Sequence, residues 1–227
     1  MRLSVASRRS IGAMVRASLL TLLAALSLFA ASKPAYAPSA TPAPSVLVAA
    51  AGENASLQHY TFDVDAHIAL LTFPWIRFTL HGVGTYTRGG DYSVHFDNVP
   101  WFGRGFETMP MNSLDVSTWP SVYTIAVAGT QGSVTTLSMH DAKDSELTEA
   151  RAKVDAVEGP LQILWTYNYG GHVKLTITPQ QIGGHYLPAA EEAEIVMPRY
   201  RAMAWATFSN YRFDRPAALP ESGTGKR

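Results

Sequence analysis

Apolar side chains recur at every second position through most of the chain beyond residue 59. In Tyr60–Leu70, Phe62, Val64, Ala66, Ile68 and Leu70 alternate with Thr61, Asp63, Asp65 and His67. That period of two belongs to a strand with one face buried and one in water. Phe78–Thr87 sets Phe78, Leu80, Gly82, Gly84 and Tyr86 on one side, and Tyr92, Val94 and Phe96 continue the pattern. Val122–Ala128 and Ser133–His140 flank Gly129-Thr130-Gln131-Gly132, which reads as a hairpin loop. Leu161, Ile163, Trp165, Tyr167 and Tyr169 alternate next, then Val173, Leu175 and Ile177, and finally the aromatic run Ala202–Phe213. About ten strands at hairpin spacing predict a mainly β fold with a largely antiparallel sheet.

Two hairpins share a local pattern, Tyr86-Thr-Arg-Gly-Gly-Asp-Tyr92 and Tyr167-Asn-Tyr-Gly-Gly-His-Val173. A two-residue turn at the glycines would throw Tyr86 and Tyr92 onto opposite faces. A three-residue loop keeps the apolar sets together, pairing Tyr86 with Tyr92 and Tyr167 with Val173, with Gly90 and Gly171 as the left-handed residues. The segment 145–157 has helix-forming composition, yet Ala150, Ala152 and Val154 alternate with Arg151, Lys153 and Asp155, which favours a strand. Little helix is expected elsewhere beyond a turn or two near Val46–Gln58 and Ser113–Trp119.

The ends differ in kind from this middle. Arg2, Arg8, Arg9 and Arg16 precede the uncharged Leu/Ala-rich run Ala17–Ala31, and Ala35-Tyr36-Ala37 supplies small residues for a cleavage site. Residues 1–37 therefore read as a signal peptide, with general secretion favoured over the twin-arginine route. The expected location is the periplasm or the outside. Residues 38–54, rich in alanine and proline, read as a linker, 55–215 as one β-rich domain, and 216–227 as a disordered tail.

Charge and composition then narrow the function. Lys plus Arg and Asp plus Glu each number 18, but the first 37 residues hold five basic residues and no acidic one. The remainder is mildly acidic, which argues against nucleic acid as a partner, since that partner demands clustered cations. The absence of cysteine removes disulfides, thiolate metal sites, thiol nucleophiles and a lipid-modified N-terminal cysteine.

Catalytic patterns are not found. The seven histidines form neither HxH nor HExxH, and there is no G-x-S-x-G elbow. Asp63, Asp65 and His67 share one strand face and form the best local constellation for a cation. That face is the polar one of an alternating strand, where solvated charges are expected, so no metal is assigned. Glu191, Glu192 and Glu194 read as a solvated acidic loop. No cofactor and no enzymatic activity are expected.

The chain does carry 24 aromatic residues, several in proline-bearing segments such as Phe73-Pro74-Trp75 and Pro100-Trp101-Phe102. The stretch Pro100–Pro120 holds Trp101, Phe102, Phe106, Met109 and Met111 with little periodicity. It reads either as a loop packed over the sheet or as the adaptable rim or lid of a cavity. Gly82 and Gly84, on the apolar face, mark either a bend filled by aromatics or space left open.

From residue 149 onward the order of segments resembles the outer-membrane lipoprotein-sorting proteins and their relatives, the LolA/LolB-like superfamily. The resemblance rests on Val154-Asp155 ending one strand, Gly170-Gly171 in the next hairpin, Gly184-His185-Tyr186-Leu187-Pro188, and Tyr211 near the end of the last strand. It covers about 149–214 well, and the earlier half by strand pattern alone. It implies a curved half-barrel whose concave face is covered by helices or loops over an apolar cavity. It also implies a non-catalytic carrier of lipid, acyl chain or lipoprotein. The expected lining is Phe62, Val64, Ile68, Phe78, Leu80, Tyr86, Val94, Phe96, Trp165 and Tyr167. The alternative is a structural or protein-interaction domain of the envelope with a filled core and an envelope protein as partner. A hydrolase or metal enzyme ranks third.

Overall fold

The computed structural model describes residues 43–100 and 107–213. The signal-peptide and tail expectations fall outside them. The first four strands are β1 (His59–Leu70), β2 (Arg77–Thr87), β3 (Tyr92–Phe96) and β4 (Thr108–Pro110). Then come β5 (Thr124–Gln131), β6 (Val134–His140), β7 (Leu147–Asp155), β8 (Gly159–Tyr167), β9 (His172–Ile182), β10 (His185–Met197) and β11 (Tyr200–Phe213). All lie in one antiparallel sheet of order β4-β3-β2-β1-β11-β10-β9-β8-β7-β6-β5. Two meanders are thus joined by pairing of the first strand with the last.

This order forces curvature. Laid flat, eleven strands at ~4.8 Å spacing would hold β4 and β5 about 48 Å apart. The connection between them, Met111 to Tyr123, contains a 3-10 turn (Asn112–Leu114) and a short helix, Trp119–Val122. Helical residues advance only ~1.5–2.0 Å each, so the connection cannot bridge a flat sheet. The sheet curls, and the connection crosses its concave side with Met111, Leu114, Val116 and Trp119 buried. The Trp119 indole N–H donates to the Ser113 carbonyl at 3.0 Å, which fixes the crossing.

Ahead of the sheet lies helix α1 (Ser45–Glu53), which buries Val46, Leu47 and Ala50 against the β7–β8 part of the sheet. The proline-rich segment was read as a linker through residue 54, but its second half is a packed helix. Leu47 and Ala50 lie on the covered face, a pattern hidden by the uniform alanine composition. The Arg88 guanidinium donates to the carbonyls of Asn54, Ala55 and Leu57, satisfying acceptors where α1 runs out. The segment 145–157 resolves as strand β7, with Ala150, Ala152 and Val154 buried.

The odd-loop argument holds with a change of detail. Tyr86 pairs with Tyr92. In the second hairpin Trp165, not Tyr167, pairs with Val173, two residues along but on the same face. The left-handed residues are Gly89 (φ 66°) and Gly170 (φ 85°), the first glycine of each pair, in place of Gly90 and Gly171. The β5–β6 turn is also tighter than expected, since Gln131 pairs with Val134 around Gly132 (φ 61°).

Gly82 and Gly84 are filled from beside, not left open. A Cβ on Gly84 would lie 2.0 Å from the Phe62 ring, and one on Gly82 would lie 2.7 Å from the Phe96 ring. Both rings lie across the strand where side chains are missing.

Candidate functional site

Reading across the strands locates a place where the concave floor is made of small residues. One row runs Ile163, Leu175, Ala193, Ala204, Ile68, Phe78 through successive strands from β8 to β2. The next runs Ile177, Glu191, Ala206, Ala66, Leu80 from β9 to β2. Four alanines thus adjoin where β10, β11 and β1 meet. Above them the chain from Met109 to Leu114 forms a roof. A cavity of about 110 Å³ remains between floor and roof. Its lining is almost wholly aliphatic and aromatic. Apolar cavities of ~150 Å³ are known to stay dry and accept benzene, so this one matches a short stretch of hydrocarbon.

Glu191 breaks the apolar lining. It is the one ionisable residue among the described residues that line the cavity. The residue as a whole is half-buried, but its Oε1 is closed off from solvent and has no hydrogen-bond partner. Burial alone raises its carboxyl from the ordinary 4.5 to about 8, because a charge is costly to hold in an apolar surround. The expected solvated loop at 191–194 is instead part of β10, and Glu191 points inward in phase with Ala193 and Ile195. The usable signal was the period of two running back from Ile195 and Met197.

A second, smaller recess of about 80 Å³ lies toward the α1 end of the concave side. It is lined in part by Asn54, Tyr60, Tyr86, Tyr92 and three prolines, Pro160, Pro179 and Pro188. Tyr60 stacks on Tyr86 with centroids 4.8 Å apart, and Tyr92 meets Tyr86 edge-on at 5.2 Å. Burial pushes the phenols of Tyr60 and Tyr92 up, so both stay neutral hydrogen-bonding groups. The Tyr211 hydroxyl donates to the Pro188 carbonyl at 2.5 Å, joining two positions that carried the family resemblance. Tyr92 and Tyr211 lie close enough to Glu191 that its charge would oppose their ionisation. The carboxyl therefore sits between the alanine-floored cavity and the tyrosines.

The residues expected to line a cavity divide three ways. Ile68, Leu80 and Phe96 line the larger cavity with Met109 and Met111 from the expected rim. Tyr86 lines the smaller recess. Phe62, Val64, Val94, Trp165 and Tyr167 are buried in packed core, with Phe78 half-buried beside them. Trp101, Phe102 and Phe106 lie outside the described residues.

On the convex face, Asp63, Asp65 and His67 each have a different partner. Asp63 accepts from Asn210 at 2.8 Å and from Arg212. Asp65 meets His81, and His67 Nδ1 lies 2.8 Å from the Thr79 hydroxyl. Among the described residues no three His, Asp or Glu side chains converge as a metal site would require. Nor is any described helix long and apolar enough to cross a membrane.

No protein-family model and no curated protein matches the chain. Solved structures do. A LolA superfamily protein from Nitrosomonas europaea superposes with a TM-score of 0.55 at 12% identity, over 78% of this chain and 96% of that one. This chain has the LolA-like fold. A DUF1329 family protein from Desulfovibrio piger gives a TM-score of 0.54 at 13% identity, covering 74% of this chain and 92% of its own. A domain from Vibrio parahaemolyticus described as outer membrane lipoprotein-sorting gives 0.53 at 13% identity, over 77% and 94%. The helix and the connection from Met111 to Tyr123 cover the concave side of this LolA-like half-barrel.

Proposed function

We propose that the protein is an exported, non-catalytic binder of an acyl chain or comparable apolar ligand, held on the concave side of the half-barrel. It would act in the periplasm or cell envelope as a carrier, with a lipid or lipoprotein as cargo. The observation that carries this reading is the apolar-lined cavity between Ala66, Ala193, Ala204 and Ala206 and the Met109–Leu114 roof. Four adjoining alanines leave room where larger side chains would have completed a core. Each methylene brought there from water contributes roughly 0.8 kcal/mol. Met109 and Met111 suit a roof that must adapt to a chain, because the thioether side chain repacks readily. The sorting role attached to the Vibrio domain supports a carrier, though at 13% identity the likeness reaches the fold and not the cargo.

A second reading has its own observation. Edge strand β5 is exposed along nearly its whole length, with Val127 57% accessible. An open apolar edge is a template for strand addition, which suits a protein-interaction domain of the envelope.

Native mass spectrometry of the protein purified from its own envelope, with organic extraction of bound material, separates the two. A defined lipid near one per chain supports the carrier. An empty protein that also fails to take up a fluorescent fatty acid overturns it and leaves the interaction domain.

A further inference from the structure

Most of the concave surface follows one rule: apolar side chains inward, polar side chains out. Glu191 violates it at the edge of the cavity. Leu or Gln at this position would avoid the desolvation of a carboxyl, and nothing in the fold uses the carboxyl. It caps no turn and pairs with no cation, and its Oε1 accepts no hydrogen bond. An unpaired buried acceptor costs about 1–3 kcal/mol relative to a paired one. Its neighbours on the floor are Ile177 and Ala206, and it lines the cavity.

From this juxtaposition we infer that Glu191 is the polar anchor of the cavity, and that the ligand is an amphiphile presenting a neutral hydrogen-bond donor, of the hydroxyl class, to its carboxyl oxygen. The inference rests on the ligand-cavity reading above and adds the chemical class of the ligand's buried end. A hydroxyl fits better than an ammonium, because a carboxyl in this apolar surround favours its protonated form, which both donates and accepts a hydrogen bond, as a hydroxyl does. It also fits better than a fatty-acid carboxylate, whose charge would enter an apolar cavity beside a second carboxyl. The hydrocarbon end of the ligand would lie over the alanines, where the surround has no polar partner to offer.

The test uses 1-hexanol and its isomer pentyl methyl ether, equal in heavy atoms, one with a donor and one without. Both are titrated into the protein while amide chemical shifts are followed. The expected result is that both perturb Ala193, Ala204 and Leu114, and that hexanol binds roughly tenfold tighter, the value of one net hydrogen bond. Glu191→Gln retains most of that preference, since the amide can still accept. Glu191→Leu brings the ratio to about one. Equal affinity of the two compounds for the unaltered protein, with shifts still at the cavity, overturns the anchor and leaves the cavity reading standing. So does a hexanol preference that survives Glu191→Leu. If neither compound perturbs the cavity residues, both readings fall. The wild-type comparison decides even if Glu191→Leu does not fold.

Discussion

Two sets of carboxylates, one on each face of the same sheet, have opposite physics. On the convex face Asp63 and Asp65 stand in water, each beside a partner on a neighbouring strand. Asn210 and Arg212 hold the Asp63 carboxyl below its usual range by hydrogen bonding. On the concave face Glu191 is pushed the other way by burial, to about 8, with its Oε1 unpaired. The convex set looks like a site in the sequence, because acids and a histidine recur at i, i+2 and i+4. In the fold it is an ordinary solvated face. The concave carboxyl sits in an acidic cluster that looks solvated and is the feature with no structural use. Density of chemically capable residues is thus a poorer guide than the face to which strand register assigns them.

The contrast can be broken most forcefully through packing. Phe62 is fully buried and lies across Gly84. Phe62→Ala should destabilise the protein by about 3–5 kcal/mol. Gly84→Ala, which drives a methyl into the same ring, should cost about 1–3 kcal/mol. The two should be strongly non-additive, the glycine change becoming nearly harmless once the ring is gone. Urea unfolding of the two single variants and the double variant measures this. Additive losses would mean that the ring does not fill the glycine's place.

Next in size is the pH response of Glu191. A carboxyl whose folded pKa lies above its unfolded value holds a proton that the unfolded chain has already released. Its contribution to stability is complete below about 4.5 and is lost as pH rises through about 8. Unfolding free energy should therefore fall between pH 5 and 8 in the natural protein relative to Glu191→Gln, by on the order of a few kcal/mol. The facing Tyr92 and Tyr211 stay neutral throughout, their phenols raised by burial. Asp155, depressed by bonds from Ser133 and the Val157 and Glu158 amides, acts in the opposite sense and only at acid pH. Parallel pH curves for the two proteins would place the Glu191 carboxyl in water.

The alternation that made the strands legible also explains where legibility stopped. Period-two runs at Tyr60–Leu70 and Leu161–Tyr169 carry mostly large apolar residues on one face, and both form strands, the second ending at Tyr167 with Tyr169 exposed in the turn. In β10 the inner positions are Glu191, Ala193 and Ile195, so hydropathy alone offers no alternation before Ile195. The same small residues that open the cavity erase its signature. The turn or two of helix expected near Val46–Gln58 is helix α1, but alanine on both faces gives no amphipathic stripe to mark which face packs. Most aromatic candidates are legible as core but not as cavity, with Phe96 lining the larger cavity and Tyr86 the smaller recess. Bulky side chains such as Phe62 and Trp165 fill space, and the void lies where they are absent.

A smaller effect probes the contact between β11 and β10. Tyr211→Phe removes the hydroxyl that donates to the Pro188 carbonyl but keeps the ring stacked on Phe62, with centroids 5.3 Å apart. The expected loss is about 0.5–1.5 kcal/mol, read as a lowered urea midpoint with unchanged slope. A loss as large as that of Phe62→Ala would mean the hydroxyl organises the tyrosine recess beyond its one bond.

The smallest effect belongs to the convex face, and its smallness is the point. Asp63 and Arg212 are both substantially exposed, so water and salt screen their attraction and holding both side chains in place opposes it. Asp63→Asn should leave the urea midpoint unchanged within error at ~0.15 M salt, and the Asn210 contact survives because an amide oxygen still accepts. Hexanol binding should be unaffected as well, since the sheet stands between this carboxyl and the cavity. A clear loss of stability that vanishes in high salt would show the ion pair fastening β1 to β11 across the bulge at Thr61–Asp63. A loss of ligand binding would be more damaging, because it would mean that the two faces are not independent and that register alone does not decide which carboxyl is functional.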